Sequence, residues 1–121
     1  MDKRKIRKAK IKKAPIKTVA KMASKNEVVL LGRVSSIQGE RELPSGDKVS
    51  EFRIVVSRGS RKTQIDVIDI AAWKAPLRKR LKSLKVDNWV QVEGALRRRF
   101  WQGSNGVSNR WQVECEKLLL F

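Results

Sequence analysis

The 121-residue chain has no histidine, no tyrosine and one cysteine, Cys115. With no histidine and a lone thiol, no standard zinc ligand set can be assembled, and the commonest general base of enzymes is missing. One cysteine excludes an internal disulfide and fits a reducing compartment. Acidic residues are also scarce, 12 against 29 Lys/Arg, for a formal net charge of +17 and a pI near 10.9. A surface of that sign attracts polyanions, nucleic acid before an anionic membrane, and is too basic for a typical metabolic enzyme. No apolar run reaches 18 residues, so no membrane-spanning helix is expected. The basic N-terminus lacks a continuous apolar stretch, which argues against a secretory signal. Asp66 and Asp69 are the nearest approach to a nuclease's metal-binding acids. Residues three apart on a strand point to opposite faces, so they do not make one. No enzyme, metal or cofactor is expected.

What the chain does have is unevenly placed charge. Residues 1–25 hold eleven Lys/Arg and one acid, Asp2, while the other 96 residues hold 18 and 11. Pro15 interrupts the first segment, and Ile6, Ile11, Ile16 and Val19 are too sparse for a core-facing stripe. It reads as a disordered basic arm. Met22, followed by Ala-Ser-Lys, is a second candidate start of translation that would leave most of the arm outside the protein. One ordered domain follows, residues 26–121.

Its elements follow from periodicity. Val28, Leu30 and Val34 share a parity around Gly32, as in a strand that bends sharply. Leu43-Pro44-Ser45-Gly46-Asp47 is a turn. A second strand carries Phe52, Ile54 and Val56 inward and Arg53 outward; a third, about 63–73, has Ile68, Ile70 and Ala72 on one face. Pro76 suits a first helical turn, and Leu77, Leu81 and Leu84 at i, i+4, i+7 predict an amphipathic helix over 75–85 with a basic outer face. The fourth strand, Trp89–Trp101, alternates cleanly. Val90, Val92, Gly94, Leu96, Arg98 and Phe100 are its inward set; Arg98 is the misfit, so the strand bends or leaves the core there. Arg97, Arg99 and Trp101 form an outward row. Residues 102–106 are a hairpin tip, and a fifth strand over 107–120 puts Trp111, Val113 and Cys115 on one parity. Cys115 is expected in the core, and Trp89 and Trp111 are expected to pack rather than to bind. These periodicities support an all-β barrel, and the element order, with one short helix between strands three and four of five, matches the arrangement of an OB-fold, the fold class expected.

From Asn26 to about Leu120 the chain resembles the bacterial single-stranded DNA-binding proteins. The matching pieces are NEVVLLGRV at 26–34, LPSG at 43–46, VSEFRIVVS at 49–57, WVQVEGALRRRFW at 89–101 and RWQVE at 110–114. The resemblance implies an aromatic at the end of strand three, which is Trp73, and a tryptophan at the end of strand four, which is Trp101. Two other aromatic positions of that family are unmatched: Val67 stands at one, and the loop at 58–62 has none.

The expected function is non-catalytic, largely sequence-independent binding of single-stranded DNA, with RNA a further possible ligand. Trp73 and Trp101 would stack bases, and Arg97, Arg99, Arg33 and Arg53 would contact phosphates. The alternative is an OB-fold structural adaptor in a primosomal or RNA-associated assembly. The resemblance also implies a homotetramer and a cytoplasmic, nucleoid-associated location. The sequence ends at Phe121 without a flexible acidic tail, so tail-dependent replication partners are not expected.

Overall fold

A computed structural model describes residues 22–121, apart from the side chains of Arg61 and Lys62. The order is β1 Val28–Glu42, β2 Lys48–Arg58, β3 Arg61–Ala72, α1 Ala75–Leu81, β4 Trp89–Gly103 and β5 Gly106–Leu120. The strands close into a barrel in the order β1-β2-β3-β5-β4. All pairings are antiparallel except the short β3–β5 contact of Ile70 with Val113 and Ala71 with Glu114. That contact closes the barrel.

The core mostly follows the alternation; Leu118 departs from it, brought inward out of the expected parity of β5 by one extra residue, Glu116. Val34, Phe52, Ile54, Ile70, Val90, Val92, Val113, Cys115 and Leu118 are almost completely enclosed, with Val28, Leu30, Val56 and Ile68 partly buried against them. Burial pushes the Cys115 thiol up to about 11, so this cysteine acts as a small core residue rather than a nucleophile.

The helix is shorter than its leucine spacing suggests. It ends at Leu81, and the chain then tightens: Lys82 N–H donates to Lys79, Ser83 to Arg80 and Leu84 to Leu81. These three-residue steps still bring Leu84 to the core beside Leu77 and Leu81. Arg78 holds the helix to Glu40 of β1 at 2.8 Å, and Arg80 donates to the Leu118 carbonyl of β5 at 2.7 Å.

Two glycines permit close strand approaches. A Cβ on Gly32 would lie 2.5 Å from the Val55 carbonyl oxygen, where β1 passes from β4 to β2. A Cβ on Gly94 would lie 1.8 Å from the Glu114 carbonyl oxygen. At that point Glu93 pairs with Lys117 but Gly94 with Cys115, so Glu116 is an extra residue and the strands bend.

From Leu96 onward in β4, and before Val113 in β5, the two strands leave the barrel as a two-stranded ribbon, paired out to Gly103 and Gly106. This corrects part of the sequence expectation. Leu96, Arg98 and Phe100 keep the inward parity, yet no barrel lies beneath them and they are exposed. Arg98 is thus not an isolated misfit; the strand has left the core by Leu96. Trp111, paired with Arg98, is 55% exposed for the same reason. Trp89, at the start of β4 on the outer parity, is 52% exposed. Neither tryptophan is a core residue.

The basic arm lies, for residues 1–21, outside the described residues. Met22–Glu27 have no regular structure and are exposed. Among the described residues, Asn26 is the first that is anchored. Its side-chain amide donates to the Leu96 carbonyl at 2.7 Å, and its side-chain oxygen accepts from the Leu96 N–H at 2.9 Å. Among the described residues no helix is long and apolar enough to cross a membrane.

Candidate nucleic-acid interface

The outer parity of β4 continues from the barrel onto one face of the ribbon, here called the front. Pairing sets Ala95 beside Glu114, Arg97 beside Gln112, Arg99 beside Arg110 and Trp101 beside Ser108. The β1–β2 turn stands opposite. Between them lies a cleft of about 580 Å³, walled by Leu43, Pro44 and Ser45 on one side and by Arg99, Phe100, Trp101 and Arg110 on the other. Arg41, Glu51 and Gln112 complete its lining. A second hollow of about 320 Å³ shares Arg41, Glu51, Arg110 and Gln112 and reaches Gln38, Arg53 and Asp69. The two form one path across β4, β5, β2 and β3.

The arginines on this path are oriented by carboxylates. Glu51 is nearly buried and accepts from Arg41 at 2.8 Å, Arg110 at 3.0 Å and Gln112 at 2.7 Å. Arg53 donates to Asp69 at 2.6 Å and Arg97 to Glu114 at 2.8 Å. Arg99 instead stacks on Trp73, its guanidinium carbon 4.2 Å from the ring centroid. A guanidinium has five N–H donors in a planar fork. One carboxylate fixes its direction and leaves donors for an anion in the cleft. Such half-exposed ion pairs add little stability, so their main effect here is placement.

Burial pushes the Glu51 carboxyl up, but hydrogen bonds from Arg41 and Gln112 and the charges of Arg41 and Arg110 outweigh it, leaving the group below its ordinary value. A carboxylate lowered in the folded state stabilises the fold above its unfolded pKa. That contribution is lost as pH falls through the lowered value. Thermal unfolding of the wild type and Glu51→Gln should therefore differ most near neutral pH and converge in acid. A gap that stays constant down the acid range would show that Glu51 acts only through packing.

The sequence-predicted residues are not all brought together. Trp101, Arg99, Arg97 and Trp73 cluster on the front of the ribbon and the strand beside it, and Arg53 stands at the far end of the path. Arg33 does not line it. It sits between Val55 and Trp89 and pairs with Asp87 at 3.0 Å. Asp87 itself has φ of +75° in the loop before β4. Val67 is exposed on β3, where an aromatic would have enlarged the face.

Arg41, Arg110, Glu51 and Gln112 were missed. A signal existed for Arg110: counting outward from the tip Ser104-Asn105 pairs 103 with 106 and hence 99 with 110. Glu51 gives no such signal, because a lone acid on an outward parity reads as solvated.

A closed OB-fold barrel with an arginine-lined, aromatic-edged cleft is the class these observations define. The single-strand binding protein family matches residues 25–119, and the chain belongs to that family. The single-stranded DNA-binding protein of Oceanobacillus iheyensis is 31% identical over 87 residues, covering 67% of this chain and 53% of that protein. Single-stranded DNA-binding protein 3 of Listeria innocua is 29% identical over 85 residues, covering 67% and 53%. The chain thus spans about half the length of the curated relatives it matches. Among solved structures, the Plasmodium falciparum SSB in complex with ssDNA has a similar fold, with a TM-score of 0.68 at 22% identity, covering 83% of this chain and 97% of that one.

Proposed function

We propose that the chain binds single-stranded DNA in the front cleft, without catalysis and with little sequence preference. The observation that carries this reading is the path itself. Four arginines, Arg41, Arg53, Arg99 and Arg110, line it with Glu51 and Asp69; Arg97 stands next to it on the ribbon's front with Glu114, and the Trp101 indole is 48% exposed at its edge. A base stacks on Trp101, while neighbouring phosphates take donors that Glu51, Asp69 and Glu114 leave free. Trp73 acts chiefly as the seat of Arg99. A single-strand backbone fits such a groove because every base has a face to stack and every residue of the strand a phosphate. RNA offers the same groups, and the same cleft accepts it.

Tryptophan fluorescence during titration with oligo-dT, oligo-rU and duplex DNA tests this. Strong quenching by oligo-dT with a weak response to duplex is expected; an equal or larger response to duplex would sink the proposal.

The chain is also inferred to self-associate. Val29 and Leu31 of β1, Trp89 of β4 and Leu119 of β5 are exposed apolar residues on adjoining strands, away from the cleft. An apolar patch of this kind suits a second copy, consistent with a homo-oligomer such as a tetramer. Light scattering on wild type and Leu31→Lys would show a mass that falls in the variant. A nucleoid location follows if DNA is the ligand.

Deleting residues 1–25 should leave the unfolding temperature unchanged, because the core pattern begins at Val28 and the first anchor among the described residues is Asn26. Removing Asn26 as well should lower it. The shorter deletion should also flatten the salt dependence of binding, since each phosphate neutralised on a single strand contributes about −0.7 to the log–log slope. An unchanged slope would mean that the arm makes no phosphate contacts.

A further inference from the structure

The ribbon's reverse face is built differently from its front. Arg98 and Trp111 are cross-strand partners, and Phe100 follows one position along on the same side. The Arg98 guanidinium carbon lies 5.1 Å from the Phe100 ring centroid and 5.6 Å from that of Trp111. Both rings remain more than half exposed. Arg98 donates to the Asn109 side-chain oxygen at 3.1 Å. Among the described residues it has no carboxylate partner, whereas Arg41, Arg53, Arg97 and Arg110 on the front each have one.

We propose that this reverse face, centred on Arg98, Phe100 and Trp111, is a second contact site for the single strand, so that the nucleic acid engages both faces of the ribbon. The proposal rests on the front-cleft reading and extends it. Charge selects the occupant. A second copy seated here by two-fold symmetry would bring Arg98 toward its own counterpart, on a chain of net charge +17. A polyanion with flat bases meets both needs of the site: phosphate for a guanidinium without an anion, and base faces for two wet rings. The two sites are continuous, because Phe100 also lines the front cleft. The chain enters the barrel beside this face, at the Asn26–Leu96 clamp, and the 25 residues before Asn26 carry eleven of the 29 Lys/Arg.

The test is binding of oligo-dT of about 30 nucleotides, longer than the roughly 4–16 that one OB-fold covers, with the oligomer's mass measured alongside. Arg98→Ala and Trp111→Ala should each weaken binding about fivefold or more and shorten the occluded length, with the mass unchanged. Trp101→Ala weakening binding while both reverse-face variants bind normally would overturn this inference and leave the front cleft standing. Normal binding by all three variants would remove the front-cleft reading as well. A change of mass without a change of binding would make the reverse face a contact between copies, and the proposal wrong.

Photocrosslinking of the wild-type protein to a bromodeoxyuridine strand keeps the test independent of variant folding. Cleavage after Arg99, Arg110 and Lys117 separates residues 100–110 from 111–117. Crosslinks are expected at Trp101 in the first peptide and at Trp111 in the second; none at Trp111, with Trp101 crosslinked, would count against the second site.

Discussion

Trp101→Ala should weaken oligo-dT binding by about 5- to 150-fold, the equivalent of the roughly 1–3 kcal/mol that one stacked base contributes. The indole projects from the ribbon's front, away from any core, so its removal leaves no cavity and stability should hardly change. Trp89→Ala is the informative comparison. From the sequence Trp89 is expected to pack, as aromatics commonly do on strands, and its loss would then lower thermal stability. The fold places it in the open beside Arg33, away from the cleft. Its substitution should leave both DNA affinity and unfolding temperature close to wild type and alter self-association instead. Equal losses of affinity in the two variants would show that the strand does not run through the front cleft.

Gly94→Ala should cost about 3 kcal/mol or more, in the upper range for overpacking. The added carbon would sit 1.8 Å from the Glu114 carbonyl oxygen, 2.9 Å from its carbon and 3.2 Å from the Cys115 Cα. All three are backbone atoms, so no side chain can swing away. The strands would have to part where β5 carries its extra residue and Cys115 enters the core. For a domain of this size the unfolding temperature should fall by about 12 °C or more. Gly103→Ala serves as control, since a Cβ there meets nothing nearer than 3.5 Å. Similar melting of both variants would mean that β4 and β5 separate easily at the bend.

Much of this protein is determined by sequence alone. Alternation at Phe52 and Ile54, at Ile68 and Ile70, and at Val90 and Val92 places the inward faces correctly, because side chains on a strand alternate whatever the strand pairs with. The leucines at 77, 81 and 84 reveal a helical segment, and Gly32 marks a bend in the first strand. Parity also separates Arg97, Arg99 and Trp101 from the core. Parity cannot say whether a core exists beneath a residue. Leu96, Phe100 and Trp111 keep the inward register but extend past the end of the barrel, and only the closed sheet decides where that end falls. Nor can a one-dimensional pattern gather side chains from different strands. Glu51, Arg41, Arg110 and Gln112 lie up to 71 positions apart in the chain and meet because β2 and β5 flank β3. The same closure separates Arg33 from the other nominated residues: on a barrel, outward parity alone does not say which side a strand faces.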